Sequence, residues 1–479
     1  MRPHVIFRYI GLVLLFNGVF IFISGVISAV NSDSAFLPLV YSFMISALFG
    51  VFPMIFVPST TDISLKEGLV IVVGSWLLCC LNGALPYILW GGEFTLTNAW
   101  FESVSGFTTT GSTILSDVEA LPLGLLFWRS ATHWIGGVGI LVFVLWILPS
   151  TGKAGLILVR TEMSSVTKSS FADRTTRILN ILLYVYVGLT LLQIISLLIC
   201  GMNLFDSVTH AFATVATGGF SPKNLSIRHY QSFPVDIVVI VFMILSGIHF
   251  GLLFDAVCGK TGPIRRSSSV RYYLVALTVG IVLTTINVHG NVYQGWTDAL
   301  RYSMFQIVSL GTSTGFATAD TSLWPSFAQL LMIFFTLQCA CAGSTSGGIK
   351  VDRILIFWKG FLKQMQTIKH PRAVIVPKMD GVAIDDDTLG VSVVYICLYL
   401  ATVFLSSLLL TSVGVDILSA FSGSAATMGN VGPGFGLVSS MSNYSQIPEV
   451  GKWILTGNML LGRLEIFGLI IFVMIKSWR

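Results

Sequence analysis

Four times, about a hundred residues apart, an apolar stretch of this chain breaks into a short Thr/Gly-rich run of nearly the same text. The runs are Thr108-Thr109-Thr110-Gly111-Ser112, Ala216-Thr217-Gly218-Gly219-Phe220, Ser313-Thr314-Gly315-Phe316 and Thr427-Met428-Gly429-Asn430-Val431. Irregular backbone at membrane depth is tolerated only where protein buries it or where it lines a water-filled path. Four such loops meeting on one axis can replace an ion's hydration shell with carbonyl oxygens. The recurrence predicts a single polypeptide folded with fourfold pseudosymmetry. Ordinary helix-packing glycines are the plainer reading, but these small residues cluster in runs instead of recurring every fourth position.

With 54% hydrophobic and only 10% charged residues, and a mean hydropathy of +0.84, the 479-residue chain has too little polar side chain to cover a soluble globule. Apolar runs near membrane-crossing length fall at about 6–30, 36–57, 69–91, 124–148, 176–200, 234–258, 271–289, 324–358, 389–413 and 453–475. The first is too long for a signal-peptide core, and the eighth is long enough to be two helices with a break. Segments at about 97–108, 205–216, 297–310 and 416–427 precede the four loops and are too short to cross. Thr97-Asn98, Asp206-Ser207, Thr297-Asp298 and Val415-Asp416 offer them helix-start chemistry. Each repeat therefore reads helix, half-helix, loop, helix.

The expected fold class is an all-α polytopic membrane protein, with four parallel helix–pore-helix–filter–helix repeats around a central pore and two extra N-terminal transmembrane helices. The divisions are 1–66 for the extra pair, then 67–158, 159–262, 263–378 with a broken inner helix, and 379–479. Arg2, Arg8, Lys66, Lys153, Arg160, Lys168, Arg174, Arg177, Lys260, Arg265, Arg266, Arg271, the seven from Lys350 to Lys378, Lys476 and Arg479 all fall on one side of this topology, 21 of the 27 basic residues. That side is expected to be cytoplasmic. The net charge of +5 thus reflects topology and not nucleic-acid binding. The loops sit toward the opposite face, where Asp117, Glu119, Asp320 and Glu449 can draw cations to the mouth, unless they are simply solvated.

The seven cysteines lack disulfide or metal-ligand spacing and read as packing residues, Cys339-x-Cys341 included. His133, His210 and His249 have no acid or nucleophile at a fixed offset and read as packing or helix-end groups. Gly343-Ser344-Thr345-Ser346-Gly347-Gly348-Ile349-Lys350 lacks the order of a phosphate-binding loop. No enzymatic reading and no cofactor is supported. The segment from Lys359 to Asp387 is too short for a nucleotide fold and offers a cytoplasmic docking surface instead.

Several motifs at ordered spacing carry a resemblance. Gly106-Phe107-Thr108-Thr109-Thr110-Gly111-Ser112 is followed by Phe127-Trp128-Arg129 and by Trp134-Ile135-Gly136-Gly137-Val138-Gly139-Ile140. Ala342-Gly343-Ser344-Thr345-Ser346-Gly347-Gly348-Ile349-Lys350, Asn430-Val431-Gly432-Pro433-Gly434 and Gly462-Arg463-Leu464-Glu465 complete the set. Together they resemble the TrkH/KtrB/HKT superfamily of potassium transporters, and within it the TrkH family, over essentially the whole chain.

That resemblance implies a K+-binding selectivity filter at Thr109, Thr110 and Gly111; Ala216, Thr217 and Gly218; Ser313, Thr314 and Gly315; and Met428, Gly429 and Asn430, with backbone carbonyls as ligands and K+ as the substrate ion. Gly111, Gly218, Gly315 and Gly429 are the expected key glycines. Met428 stands where the other repeats carry Thr, so weaker fourfold symmetry is expected there. Ala340, Cys341, Ala342, Gly343, Ser344, Thr345, Ser346, Gly347 and Gly348 are nearly all small, cannot hold a helix, and match the family's intramembrane gate loop beneath the filter. Arg463, a costly charge within an apolar span, matches the arginine that bonds that loop. Glu465 would point about 200° away along a helix, so it is not an obvious partner for Arg463.

The resemblance further implies a homodimer in the lipid of a bacterial inner membrane, with TrkA, a cytosolic nucleotide-binding ring, as regulatory partner. The leading expectation is a gated potassium-uptake pore. A proton- or sodium-coupled carrier with alternating access is the alternative, and a receptor or scaffold is the third; four parallel loops favour the first.

Overall fold

The computed structural model of the chain describes residues 1–58, 63–139 and 175–473. Two apolar helices, α1 (Pro3–Val30) and α2 (Phe36–Phe56), pair first. Their contact runs through small residues: a Cβ on Gly11 would lie 2.9 Å from the Gly50 carbonyl oxygen, and Gly18 faces Ser46. At its far end the pair is tied to the first repeat, where Asp33 Oδ2 accepts from the Gly124 amide at 3.1 Å.

The order helix, short helix, loop, helix then recurs four times. In the first repeat α3 (Leu65–Trp90) leads to the short α4 (Leu96–Phe107) and then to α5 (Leu123–Val138). The second has α6 (Thr175–Ile199), the short α7 (Leu204–Val215), and α8 (Phe233–Ser246) with α9 (Phe250–Val257), followed by the brief α10 (Gly262–Arg266). The third has α11 (Ser268–Val288), the short α12 (Trp296–Gly311), and α13 (Ser326–Leu337) with α14 (Val351–Lys369). The fourth has α15 (Asp386–Ser412), the short α16 (Ile417–Met428), and α17 (Glu449–Arg463) with α18 (Glu465–Val473).

Among the described residues six helices are long and apolar enough to cross a membrane, or seven if α8 and α9 form one bent span. Their side chains explain why: α2, α6, α11 and α15 leave rows of Leu, Val, Ile and Phe exposed, a surface suited to hydrocarbon and not to water. The four short helices are the opposite case. Their loop-proximal ends are buried, and at 12 to 16 residues they cannot span.

Several expected details shift. The short helices are capped by Thr95, Asn203 and Asp416, whose side chains accept from Asn98, Asp206 and Ser419 amides, while Gly295 precedes the third without a side-chain cap. Thr97, Asp206 and Thr297 therefore lie inside the first turn, because the chain needs an extended residue before the helix and not merely a polar one. The eighth run breaks as expected. The sixth also breaks, turning by 108° at Gly247-Ile248-His249, which periodicity did not signal. The expected fourth run beyond residue 139, the division at 158/159, and Lys153, Arg160, Lys168, Arg174, Lys476 and Arg479 lie outside the described residues.

Candidate functional site

Each short helix ends in the same backbone construction. Thr108, Ala216, Thr312 and Gly429 cap α4, α7, α12 and α16. The next residue is left-handed in every case: Thr109 (φ 53°), Thr217 (φ 54°), Ser313 (φ 59°) and Asn430 (φ 52°). The one after donates its amide back into the helix, Thr110 to Ser105 O, Gly218 to Ala213 O, Thr314 to Ser309 O and Val431 to Ala426 O, at 2.7–2.9 Å. A glycine with positive φ follows: Gly111 (79°), Gly219 (85°), Gly315 (81°) and Gly432 (96°). Three of these left-handed side chains cost strain, which the surrounding packing has to hold.

The four constructions close on one another. A Cβ on Gly111 would strike the Gly218 carbonyl oxygen, one on Gly219 that of Thr314, one on Gly315 that of Val431, and one on Gly432 that of Thr110 at 2.5 Å. Each glycine thus faces the carbonyl of the next repeat, and the fourth returns to the first. The result is a ring of backbone oxygens with no room for a side chain at the glycine position, and the C-terminal, partially negative ends of all four short helices lead into it. All four glycines also line the outer hollow above the ring, together with Ser112, Lys223 and Asn224.

This geometry corrects the register expected from the sequence. Thr109-Thr110-Gly111 and Ser313-Thr314-Gly315 are equivalent as expected. In the second repeat the equivalent triplet is Thr217-Gly218-Gly219, one residue beyond Ala216-Thr217-Gly218. In the fourth it is Asn430-Val431-Gly432, two beyond Met428-Gly429-Asn430. The key glycines are therefore Gly111, Gly219, Gly315 and Gly432, and not Gly218 and Gly429, whose φ values are not left-handed. Met428 is the last residue of α16, the counterpart of Phe107, and holds no ring position. Matching text aligned the first glycine of each run, whereas the backbone counts from the helix end.

Beneath the ring lies the non-helical segment 338–350. Its ends pair, Cys339 N donating to Ile349 O at 3.1 Å and Ile349 N to Leu337 O at 3.2 Å, so the chain enters and leaves at the same place. Its tip reaches the other repeats. Thr345 Oγ1 donates to Val215 O at 3.0 Å, the Gly347 amide donates to Ser313 Oγ at 3.0 Å, and a Cβ on Gly347 would lie 2.8 Å from Asn430 Oδ1. At its base Asp352 accepts from the Ala342 amide and the Ser269 hydroxyl, both at 2.6 Å. The break between α8 and α9 serves this docking, since Gly247 O accepts from Cys341 N and Phe250 N donates to Gly343 O, each at 3.1 Å.

Arg463 ends α17 and reaches across. Its guanidinium donates to Thr345 O at 2.8 Å, to Gly137 O at 2.7 Å and to Gly136 O. The expected gate residues Ala340 to Gly348 and Arg463 are thus one cluster under the ring. Glu465, left-handed (φ 53°) at the break between α17 and α18, pairs with Arg353 at 2.8 Å, so the continuous helix on which its expected direction rested is interrupted here. Beside Cys341 and Ala342 a cavity of about 400 Å³, lined by His249, Arg266, Asp352 and Asp380 among others, borders the base of the segment.

Sequence reasoning missed the groups that hold the loops from behind. Six residues before each helix cap stand Glu102, His210 and Gln306. Glu102 accepts from Thr113 Oγ1 and Ile114 N, His210 Nε2 meets Ser221 Oγ at 3.0 Å, and Gln306 donates to Ala319 O. Arg129 pairs with Glu102 at 2.8 Å, both fully buried, and donates to Ser221 O at 3.3 Å, joining the first loop to the second. Counting back from the cap is the signal that finds them. None of Asp117, Glu119, Asp320 and Glu449 lines the hollow over the ring. Asp117 and Glu119 instead bind Asn224 of the second loop, and the Asn224 amide holds the Asp117 carboxyl below its ordinary value. Cys80, Cys200, Cys258, Cys339, Cys341 and Cys397 are free, and no group of three or more potential metal ligands occurs among the described residues.

Residues 39–478 match the family model TrkH, described as a cation transport protein. The chain is 34% identical over 487 residues to the Trk system potassium uptake protein TrkH of Escherichia coli K12, with both chains fully covered. It is 34% identical over 423 residues to the Trk system potassium uptake protein TrkI of Halomonas elongata, covering 87% of this chain and 85% of that one. The crystal structure of the potassium transporter TrkH from Vibrio parahaemolyticus superposes with a TM-score of 0.90 at 29% identity, over the full length of both chains.

Proposed function

Because the chain belongs to the TrkH family of cation transport proteins, we propose that it is a gated K+-selective pore for potassium uptake across the inner membrane of a bacterium. The observation that carries this reading is the closed ring. Each glycine faces the carbonyl of the next repeat, so a dehydrated cation on the axis meets oxygens from all four loops. Thr110, Gly218, Thr314 and Val431 supply that layer of carbonyls, and the left-handed residues Thr109, Thr217, Ser313 and Asn430 set its spacing. Two elements of the ring also hold the gate: Ser313 bonds Gly347, and Asn430 packs on it.

In this reading segment 338–350 is the gate, and Arg463 fastens it shut by binding Thr345 while anchored to α5 at Gly136 and Gly137. Opening draws the segment toward the cavity beside its base, away from Ser313 and Val215. The cytoplasmic face, including Lys359 to Asp387, is the landing surface for a TrkA-like nucleotide-binding ring, and the working unit is a homodimer. A proton- or sodium-coupled carrier is the competing mechanism. Cation flux into liposomes containing the purified protein separates them. Passive entry of K+ and Rb+ with choline excluded, lost in Gly111→Asp, supports the pore; flux that demands a proton or sodium counter-gradient refutes it.

A further inference from the structure

Of the four carbonyl-bearing ring residues, Thr110, Thr314 and Val431 carry side chains and Gly218 does not. Gly218 is not left-handed, so backbone geometry does not demand glycine there. Volume does. A Cβ on Gly218 would collide with Nδ1 of the His133 imidazole. His133 projects from α5 of the first repeat, is fully buried, and meets Phe220 edge to face with ring centroids 4.1 Å apart. Arg129, one turn earlier on α5, lies 3.9 Å from the same Phe220 ring. The first inner helix thus grips the second loop at two successive points.

His133 stands eleven residues after the cap of its helix, Pro122; Met243 and Met459 stand equally far from Ser232 and Pro448 in the second and fourth repeats. Both methionines are fully buried. Unbranched Met adapts to a neighbour's side chain, while a rigid imidazole ring leaves no space for one. The pairing of a ring on the helix with a glycine on the loop occurs at this corner and not at those two.

We propose that His133 is the missing side chain of the second loop, a positioning residue that fills from α5 the volume its own loop leaves empty and so fixes the Gly218 carbonyl in the ring. Cation discrimination depends on where those carbonyls sit, and an unsupported glycine is the residue most free to move them. The inference rests on the filter reading of the ring above.

The test is the ratio of Na+ to Rb+ flux in liposomes for wild type, His133→Ala, Gly218→Thr, the double variant, His133→Met and Gly111→Asp, each first shown to be monodisperse and helical. His133→Ala is expected to conduct with a Na+ to Rb+ ratio raised about tenfold, equivalent to about 1.4 kcal/mol of lost discrimination. Gly218→Thr, which puts two side chains in one volume, is expected not to conduct. The double variant is expected to return the ratio to within about twofold of wild type, as the new threonine occupies the vacated space. His133→Met is expected to lie nearer wild type than His133→Ala. An unchanged ratio in His133→Ala overturns the proposal, as does a double variant or a methionine variant no closer to wild type than the alanine. A conducting Gly111→Asp would instead overturn the filter reading itself.

Discussion

If segment 338–350 gates the path as proposed, removing the Arg463 side chain by Arg463→Ala should make the protein leak, and the hydrogen bonds of Arg463 set how much. Among the described hydrogen bonds of the guanidinium, the one to Thr345 O reaches segment 338–350, while those to Gly136 O and Gly137 O anchor the arginine to α5. In the proposed closed state the variant loses at least this charge-assisted hydrogen bond to the segment, worth roughly 1.5–3 kcal/mol. That shifts the closed-to-open ratio by about 12-fold to 150-fold. Ser313→Ala removes a neutral bond to the Gly347 amide, worth roughly 0.5–1.5 kcal/mol, and should raise the leak only about twofold to twelvefold. Arg463→Lys keeps the charge without the planar fork and should fall between alanine and wild type. Rb+ uptake by proteoliposomes in the absence of any cytosolic partner reads all three. Leak rates in the order alanine, lysine, wild type at position 463 are expected. Wild-type flux in Arg463→Ala, or a larger leak in Ser313→Ala than in Arg463→Ala, would refute the assignment of Arg463 as the main fastening.

Gly432→Ala should abolish flux, since its Cβ would lie 2.5 Å from the Thr110 carbonyl at φ 96°, whereas Gly457→Ala, with open space around it, should conduct as wild type; equal fluxes would discredit the corrected register. Arg129→Met strands the buried Glu102 carboxylate and should destabilise the protein by about 3–5 kcal/mol, while Arg129→Met with Glu102→Gln should cost far less. Thermal melts in detergent check this, and additive losses would sink it. Asn224 lowers the folded-state Asp117 pKa, so the bridge between the first and second loops should persist above the ordinary Asp value of 3.8 and be lost as the pH falls through the lower folded value. Titrating Asp117 by NMR should find its pKa raised by Asn224→Ala, and no change would mean the amide bond does not form.

The architecture was legible because the bilayer imposes its own ruler: runs near twenty apolar residues and four short segments were recoverable from length alone. That segment 338–350 and Arg463 meet was legible too. A run of small residues loses its helix inside the membrane, and a lone arginine in an apolar span is too costly to leave without acceptors, so each points to the other. The register of the ring was not. Gly218-Gly219 and the glycines at 429, 432 and 434 allow several alignments by residue type, and only the return hydrogen bonds to Ser105, Ala213, Ser309 and Ala426 choose among them. The bend at Gly247 was likewise hidden, because its cause, the docking of Cys341 and Gly343, is nearly a hundred residues away in sequence.

The misalignment itself has a physical origin. A ring made of backbone oxygens constrains φ, ψ and the absence of a Cβ at one position per repeat; it constrains the other side chains only through what stands behind them. The first and third repeats keep the same hydroxyl pair, Thr108 with Thr110 and Thr312 with Thr314, each at 2.8 Å, while the second and fourth place Ala216 with Gly218 and Gly429 with Val431 there. The anchors differ as freely: a carboxylate at Glu102, an imidazole at His210, an amide at Gln306 and, in the fourth repeat, Gly423 with the neighbouring Ser422 hydroxyl bonding Phe435 instead. Four repeats on one chain can diverge in this way because a substitution changes one corner and not four. Segment 338–350 uses that freedom, since it comes from the third repeat alone and docks against three unlike groups, the Ser313 hydroxyl, the Val215 carbonyl and the Arg463 guanidinium.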